Sequence, residues 1–159
     1  MRELTPLEIA QTAATAKGSL LAFIRIFYPL VTGHDFILTY PTGRESHIIT
    51  ICRALTDVFY GRIKRLLICI PPRYGKTTMV SYFIPWAFAH YPDCQFMYTS
   101  YAVSLSKEQT QNIRNIINNP IYKLLFGVQI EKSSTAKDNF RTTADGKVMA
   151  LGKEGAITG

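Results

Sequence analysis

The sequence predicts an α/β fold with a parallel-rich sheet, and three observations carry that expectation. The apolar run Leu66-Leu67-Ile68-Cys69-Ile70 reads as a buried strand. It leads through a short loop, Pro71 to Gly75, into a segment from Lys76 to His90 that is apolar on almost every side, the pattern of a helix buried between layers. A second strand-like run, Gln95 to Ser100, and a further helical pattern follow. Strand, loop, helix, strand, helix is how a sheet with parallel strands begins, because parallel neighbours need a crossover between them.

The other elements follow in order. Thr5-Pro6-Leu7-Glu8 is a helix start, with a cap, a proline at the first helical position and a glutamate three residues after the cap; the helix is expected to run to Lys17 and Gly18. A second helical stretch, Ser19 to Tyr28, is expected to stop at Pro29, and residues 31–43 read as irregular. Glu45 to Tyr60 reads as an amphipathic helix with Ile48, Ile51, Cys52, Leu55 and Val58 on one stripe and Gly61 as its stop. Pro85 predicts a kink or a break in the buried helix. Ser106-Lys107-Glu108-Gln109 reads as a capping box for a polar surface helix to about Asn118, and Pro120 to Phe126 as a short helix closed by Gly127. Residues 139–143 and 147–151 read as strands about a turn at Asp145-Gly146. The expected organisation is an N-terminal helical segment, 1–60, and an α/β domain, 61–159.

A chain of 159 residues can bury a sizeable core, and 47% hydrophobic with 18% charged residues excludes a disordered polymer. The net charge of +7 points to a polyanionic partner, nucleotide or nucleic acid first. Cys52, Cys69 and Cys94 are odd in number, widely spaced and set among apolar residues, which predicts buried free thiols in a reducing compartment. The early apolar run, Leu20 to Leu30, contains Arg25 and is too short to cross a membrane, and Glu3 and Glu8 break any signal-peptide order. The expected location is cytoplasmic.

The chemistry concentrates in Pro71-Pro72-Arg73-Tyr74-Gly75-Lys76-Thr77. A loop that ends by starting a helix aims unpaired backbone N–H groups at one spot, where the helix dipole also favours negative charge. Gly75 lets the backbone approach a phosphate, Lys76 offers a cation to the β- and γ-phosphates, and the Thr77 hydroxyl suits Mg²⁺. The candidate ATP-binding residues are Pro72, Arg73, Tyr74, Gly75, Lys76, Thr77 and Thr78. The generic phosphate loop requires glycine where this chain has Ile70, and Pro71 and Pro72 stiffen its approach.

Hydrolysis further needs a carboxylate at the end of an apolar strand, to hold Mg²⁺ and polarise water. Asp57 falls on a helix face, and Val128-Gln129-Ile130-Glu131 has a polar interruption, so neither fits. The glycine-rich run from Gly152 to Gly159 reads as the front part of a longer protein.

The double proline and arginine before Gly-Lys-Thr resemble the phosphate loop of the large terminase subunits of tailed bacteriophages. Further similarities are Gly61 with Arg65-Leu66, Ser81, Pro85-Trp86-Ala87, Pro92, Thr99-Ser100-Tyr101, Arg114, Tyr122, Leu125-Phe126-Gly127, Thr142, Gly146, Gly155 and Thr158-Gly159. The resemblance covers roughly residues 34 to 159. It implies a three-layer, phosphate-loop NTPase-type domain, incomplete in this chain, that couples ATP hydrolysis to the movement of double-stranded DNA into a capsid. It implies ATP and Mg²⁺ as cofactors, and a small terminase subunit and a portal protein as partners of a homo-oligomeric ring. Carried over, Lys76 and Thr77 bind phosphate and Mg²⁺, and Arg73 resembles the arginine that contacts the γ-phosphate, making Arg73 and Lys76 the candidate catalytic residues. Thr99 and Ser100 resemble the motif near the nucleotide at the second strand's end. His47 falls in the region that resembles the part holding the adenine; on an amphipathic helix it also suits a purely structural role. Tyr74 suits loop packing, and Arg114 a solvated helix face. The competing readings are another phosphate-loop ATPase, such as a helicase-like protein, and a non-catalytic nucleotide- or DNA-binding fragment.

Overall fold

The computed structural model describes residues 5–38, 45–131 and 139–152. It is a mixed α/β structure with N-terminal helices and a small three-stranded mixed sheet. The chain divides into two compact units, Met1–Trp86 and Ala87–Gly159.

The first unit is helical. Helix α1 spans Pro6–Gly18 and carries the expected capping box: the Glu8 N–H donates to the Thr5 hydroxyl at 3.3 Å, and the Thr5 N–H donates to the Glu8 carboxylate at 2.8 Å. Those bonds to the charged form hold the Glu8 carboxyl below its usual range. Helix α2, Leu20–Thr32, passes through Pro29 instead of stopping there. A proline removes one backbone donor, and the burial of Leu20, Phe23, Ile24 and Phe27 on one face outweighs that loss. Gly33 ends the helix at φ 73°, donating to the Pro29 carbonyl. Helix α3, His47–Phe59, buries Ile48, Ile51, Cys52 and Leu55 of the expected stripe and leaves Val58 half-buried. Helix α4, Lys76–His90, is exposed at Lys76 and Thr77, mostly buried from Met79 to Ala89, and continues as α-helix past Pro85. Fully buried Trp86 stacks on Phe59 with ring centroids 4.8 Å apart, and its indole N–H reaches the carbonyls of Ala16 and Lys17 at the end of α1. Terminal helix carbonyls lack intrahelical donors, so this indole satisfies groups that would otherwise stay unpaired.

The expected strand at Leu66–Ile70 does not form. The segment is free of regular structure, pairs with no strand among the described residues, and leaves Leu67 85% exposed. A strand exists only through a ladder partner, and the apolar run alone cannot supply one. Cys69 is consequently exposed, against the expectation of three buried thiols, whereas Cys52 is buried and its thiol is pushed up to about 11 by that burial. Cys94 is half-buried and raised as well, by burial and by the neighbouring Asp93. A neutral disulfide reagent at mild alkaline pH should therefore modify Cys69 first, and Cys69→Ser should remove the fast phase. Protection of Cys69 in the native chain would mean that the segment is covered.

The second unit contains β1 (Gln95–Ser100), α5 (Val103–Asn118), α6 (Pro120–Phe126), β2 (Asn139–Arg141) and β3 (Lys147–Gly152). The sheet order is β1-β3-β2: β1 pairs parallel with β3 from Gln95↔Lys147 to Ser100↔Gly152, and β2 pairs antiparallel with β3. Helix α5 starts three residues before the expected capping box, after Ala102, and Ser106 is not its cap. Ser106 is buried and donates to the Leu151 carbonyl of β3 at 2.7 Å, tying the helix to the sheet. The apolar residues Ile113, Ile116 and Ile117, with Ser106 and Thr110, form the buried face of an otherwise polar helix. Fully buried Tyr122 stacks on Phe126 at 4.9 Å, and burial pushes its phenol far above the usual range. Among the described residues no single helix is long and apolar enough to cross a membrane.

Candidate phosphate-binding site

The loop between Ile70 and Lys76 has an unusual backbone. Pro71 and Pro72 restrict its first half to φ near −65°. Arg73 then sits at φ 68° and Gly75 at φ 81°, both in the left-handed region. Glycine adopts that conformation freely, whereas a residue such as arginine is held there at a cost of about 1–3 kcal/mol. The Met79 N–H donates to the Gly75 carbonyl at 2.9 Å, so the hydrogen-bond ladder of α4 begins at Gly75. The N–H groups of Gly75, Lys76, Thr77 and Thr78 therefore have no intrahelical acceptor, and the positive end of the helix dipole coincides with them.

The side of the loop rests on the first turn of α3. His47 Nε2 lies 2.9 Å from the Tyr74 carbonyl oxygen, and the two rings meet edge to face at 5.6 Å. A Cβ at Gly75 would come within 3.1 Å of Ile48 Cδ1, so both the space and the φ angle select glycine there.

A cavity of about 830 Å³ opens over this loop. It is lined by residues 70–79 on one side and by Tyr28, Phe36, Ile37, His47 and Ile48 as its wall. The size falls in the range of small-molecule sites, and the mix of an apolar wall with a few convergent polar groups is typical of them. Among the described residues its lining includes Arg73 and Lys76 and no carboxylate, which makes this part of it electropositive. The nearby cations Arg53 and Arg62 are held by Glu45 and Asp57, at 2.8 Å and 2.6 Å, and stand outside the cavity lining.

Every residue expected to bind the nucleotide, Pro72 through Thr78, lines this one cavity. Lys76 and Thr77 are exposed on the first turn of α4, where an ammonium and a hydroxyl are free to meet an anion and its metal. Among the described residues no group of three or more His, Cys, Asp or Glu side chains is placed to hold a metal ion, so Mg²⁺ would depend on phosphate oxygens with Thr77. Asp57 is on α3 and bonded to Arg62, as a helix-face carboxylate should be. Thr99 and Ser100 end β1 in the second unit, and Arg114 on α5 lies over the Phe140 ring at 5.9 Å. Gly155, Thr158 and Gly159 fall outside the described residues.

The aromatic wall was not foreseen. Tyr28 and Phe36 stack edge to face at 5.2 Å, and Ile37 stands 78% exposed beside them. The available signal was Phe36-Ile37, two large apolar residues side by side in a segment that reads as irregular. No protein-family model, curated protein or solved structure matches this chain.

Proposed function

We propose that this chain binds the triphosphate of ATP, with Mg²⁺, in the cavity over residues 70–79, as the nucleotide-binding part of a DNA-packaging motor of the large terminase type. The observation that carries the reading is the coincidence of four helix N–H groups without an intrahelical acceptor, Arg73 and Lys76 in one cavity whose described lining holds no carboxylate. Two left-handed residues flanking Tyr74 make the concave run of backbone donors that anions favour. The apolar wall at Tyr28, Phe36 and Ile37 suits a nucleobase, which has a flat π-face and needs little beyond contact area.

On this reading the fold is of the phosphate-loop NTPase type, and Leu66–Ile70 is a strand position whose partner is not among the described residues. Lys76 and Arg73 grip the β- and γ-phosphates, and Thr77 completes the Mg²⁺ sphere. Double-stranded DNA, a small terminase subunit, a portal protein and a homo-oligomeric ring belong to the whole motor. One variant of this reading is that the chain grips the triphosphate without turning it over; among the described residues the lining holds no carboxylate.

Titration of the chain with MgATP in a calorimeter should show one saturable site, while phosphate release in a steady-state assay stays at the no-enzyme background. No heat of binding would remove the proposal. Steady turnover would remove the non-hydrolysing variant and point to a carboxylate outside the cavity lining.

A further inference from the structure

Among the described residues no strand restrains the N-terminal side of the loop that offers the anion-binding N–H groups, since Leu66–Ile70 pairs with none of them. The loop's restraint comes from α3 instead. We infer that His47 is a positioning residue for the phosphate loop: its Nε2–H holds the Tyr74 carbonyl, and through it sets the direction of the Gly75 N–H. The inference rests on the phosphate-binding reading above and deepens it, by naming a side chain that shapes the site through the loop backbone.

A carbonyl oxygen only accepts, so at 2.9 Å the ring nitrogen must carry the proton, and His47 is the donor. The peptide between Tyr74 and Gly75 is planar and trans, as no cis bond occurs among the described residues. Its C=O and N–H therefore point in opposite directions, and holding the first fixes the second. The same imidazole meets the Tyr74 ring edge to face, so residue 74 is held by main chain and side chain together. The next residue, Ile48, closes the space beside Gly75. The turn that presents both is itself anchored: Ser46 is 1% exposed and caps α3 by accepting from the Ile48 N–H. With Arg73 at φ 68° and Gly75 at φ 81°, the loop is in a conformation that a free chain rarely samples, and an external clamp keeps it there. A role of this kind differs from holding the adenine, the role that the resemblance suggests for the region around His47.

The two roles separate in one experiment. Binding of magnesium tripolyphosphate, which has no base, and of MgATP is measured by calorimetry for the wild-type chain, His47→Phe and His47→Gln. Phenylalanine keeps a ring against Tyr74 and removes the donor; glutamine restores an N–H. The expected result is a loss of about five- to tenfold for both probes in His47→Phe, with His47→Gln within about twofold of wild type. Wild-type chain that binds neither probe removes the phosphate-binding reading itself. Wild-type binding with both affinities unchanged in His47→Phe overturns the inference alone. A loss confined to MgATP overturns it too, and assigns His47 to the base. If His47→Phe does not fold, the wild-type chain decides by nitrogen-15 NMR. The ring should carry its proton on Nε2 when neutral, and that signal should move together with the Gly75 amide as tripolyphosphate is added. A neutral ring protonated on Nδ1, or a Gly75 amide that moves alone, overturns the inference.

Discussion

Lys76→Ala is expected to abolish measurable ATP binding while leaving the chain folded. Lys76 is exposed at the first position of α4, so alanine removes no buried contact and has a slightly better helix propensity. The melting temperature should therefore stay within a degree or two of wild type, roughly the shift that a few tenths of a kcal/mol produces. The ligand sees a different site. A charge-assisted bond from ammonium to phosphate contributes about 1.5–3 kcal/mol, so its loss weakens binding about ten- to a hundredfold. Among the described residues of the lining the other Lys or Arg is Arg73, and the left-handed backbone at that residue fixes where its side chain begins. A hundredfold loss from a moderate affinity carries the dissociation constant out of calorimetric range. Unchanged affinity in Lys76→Ala would show that the loop is a structural turn and that the cavity binds through its apolar wall.

The parts of this molecule that were legible in the sequence are those decided locally. The Thr5–Glu8 box, most of the α3 stripe and the glycine stops at Gly61 and Gly127 each depend on residues within one or two turns, and each forms in the structure. Pro29 misled for the opposite reason, and Pro85 does not break its helix either. A proline lowers the local preference for helix by a fixed amount, and the burial of Phe23, Phe27 and Trp86 on the surrounding turns exceeds it. Leu66–Ile70 misled because an apolar run states only that burial would be favourable; a strand also needs a neighbour, and sequence periodicity carries no information on whether one is present. Ser106 shows a third limit. Its side chain fits a capping box in sequence, yet it bonds a carbonyl 45 residues away on β3, and that contact is visible only once the helix is docked.

The candidate site divides in the same way. The loop was legible because Gly75, Lys76 and Thr77 act through the backbone they sit on. Its supports were not, since His47 reaches Tyr74 across 27 residues and Tyr28 comes from a different helix again. The apparent flaw in the motif, Ile70 in place of glycine, has a use here: Ile70 lines the cavity and adds apolar surface where a glycine would leave space.

Gly146→Ala is expected to unfold or strongly destabilise the second unit, and the reason is steric crowding from three sides at once. A Cβ at Gly146 would lie 2.2 Å from the Pro92 carbonyl oxygen, 2.7 Å from Phe88 Cε1 and 2.7 Å from the Thr142 hydroxyl oxygen. Phe88 and Thr142 are fully buried, so neither can swing into solvent, and a backbone carbonyl has no rotamer to change. The Thr142 hydroxyl is also the hub of the turn: it accepts from the Gly146 N–H and donates to the Pro92 carbonyl, both at 2.8 Å. Displacing Pro92 breaks that relay and leaves a buried hydroxyl short of an acceptor. Overpacking costs about 1–3 kcal/mol and a buried unsatisfied polar group about as much again, a large part of the 5–15 kcal/mol that holds a typical domain together. The damage spreads along the ladder, because the Lys147 N–H donates to the Cys94 carbonyl just where β3 begins to pair with β1. Gly18→Ala is the control: nothing lies within 4 Å of a Cβ there, the position is helical, and alanine should stabilise slightly. Urea unfolding of the two variants should therefore move the midpoint in opposite directions. Equal midpoints would mean that the turn about Gly146 is not packed against Pro92 and Phe88 in solution.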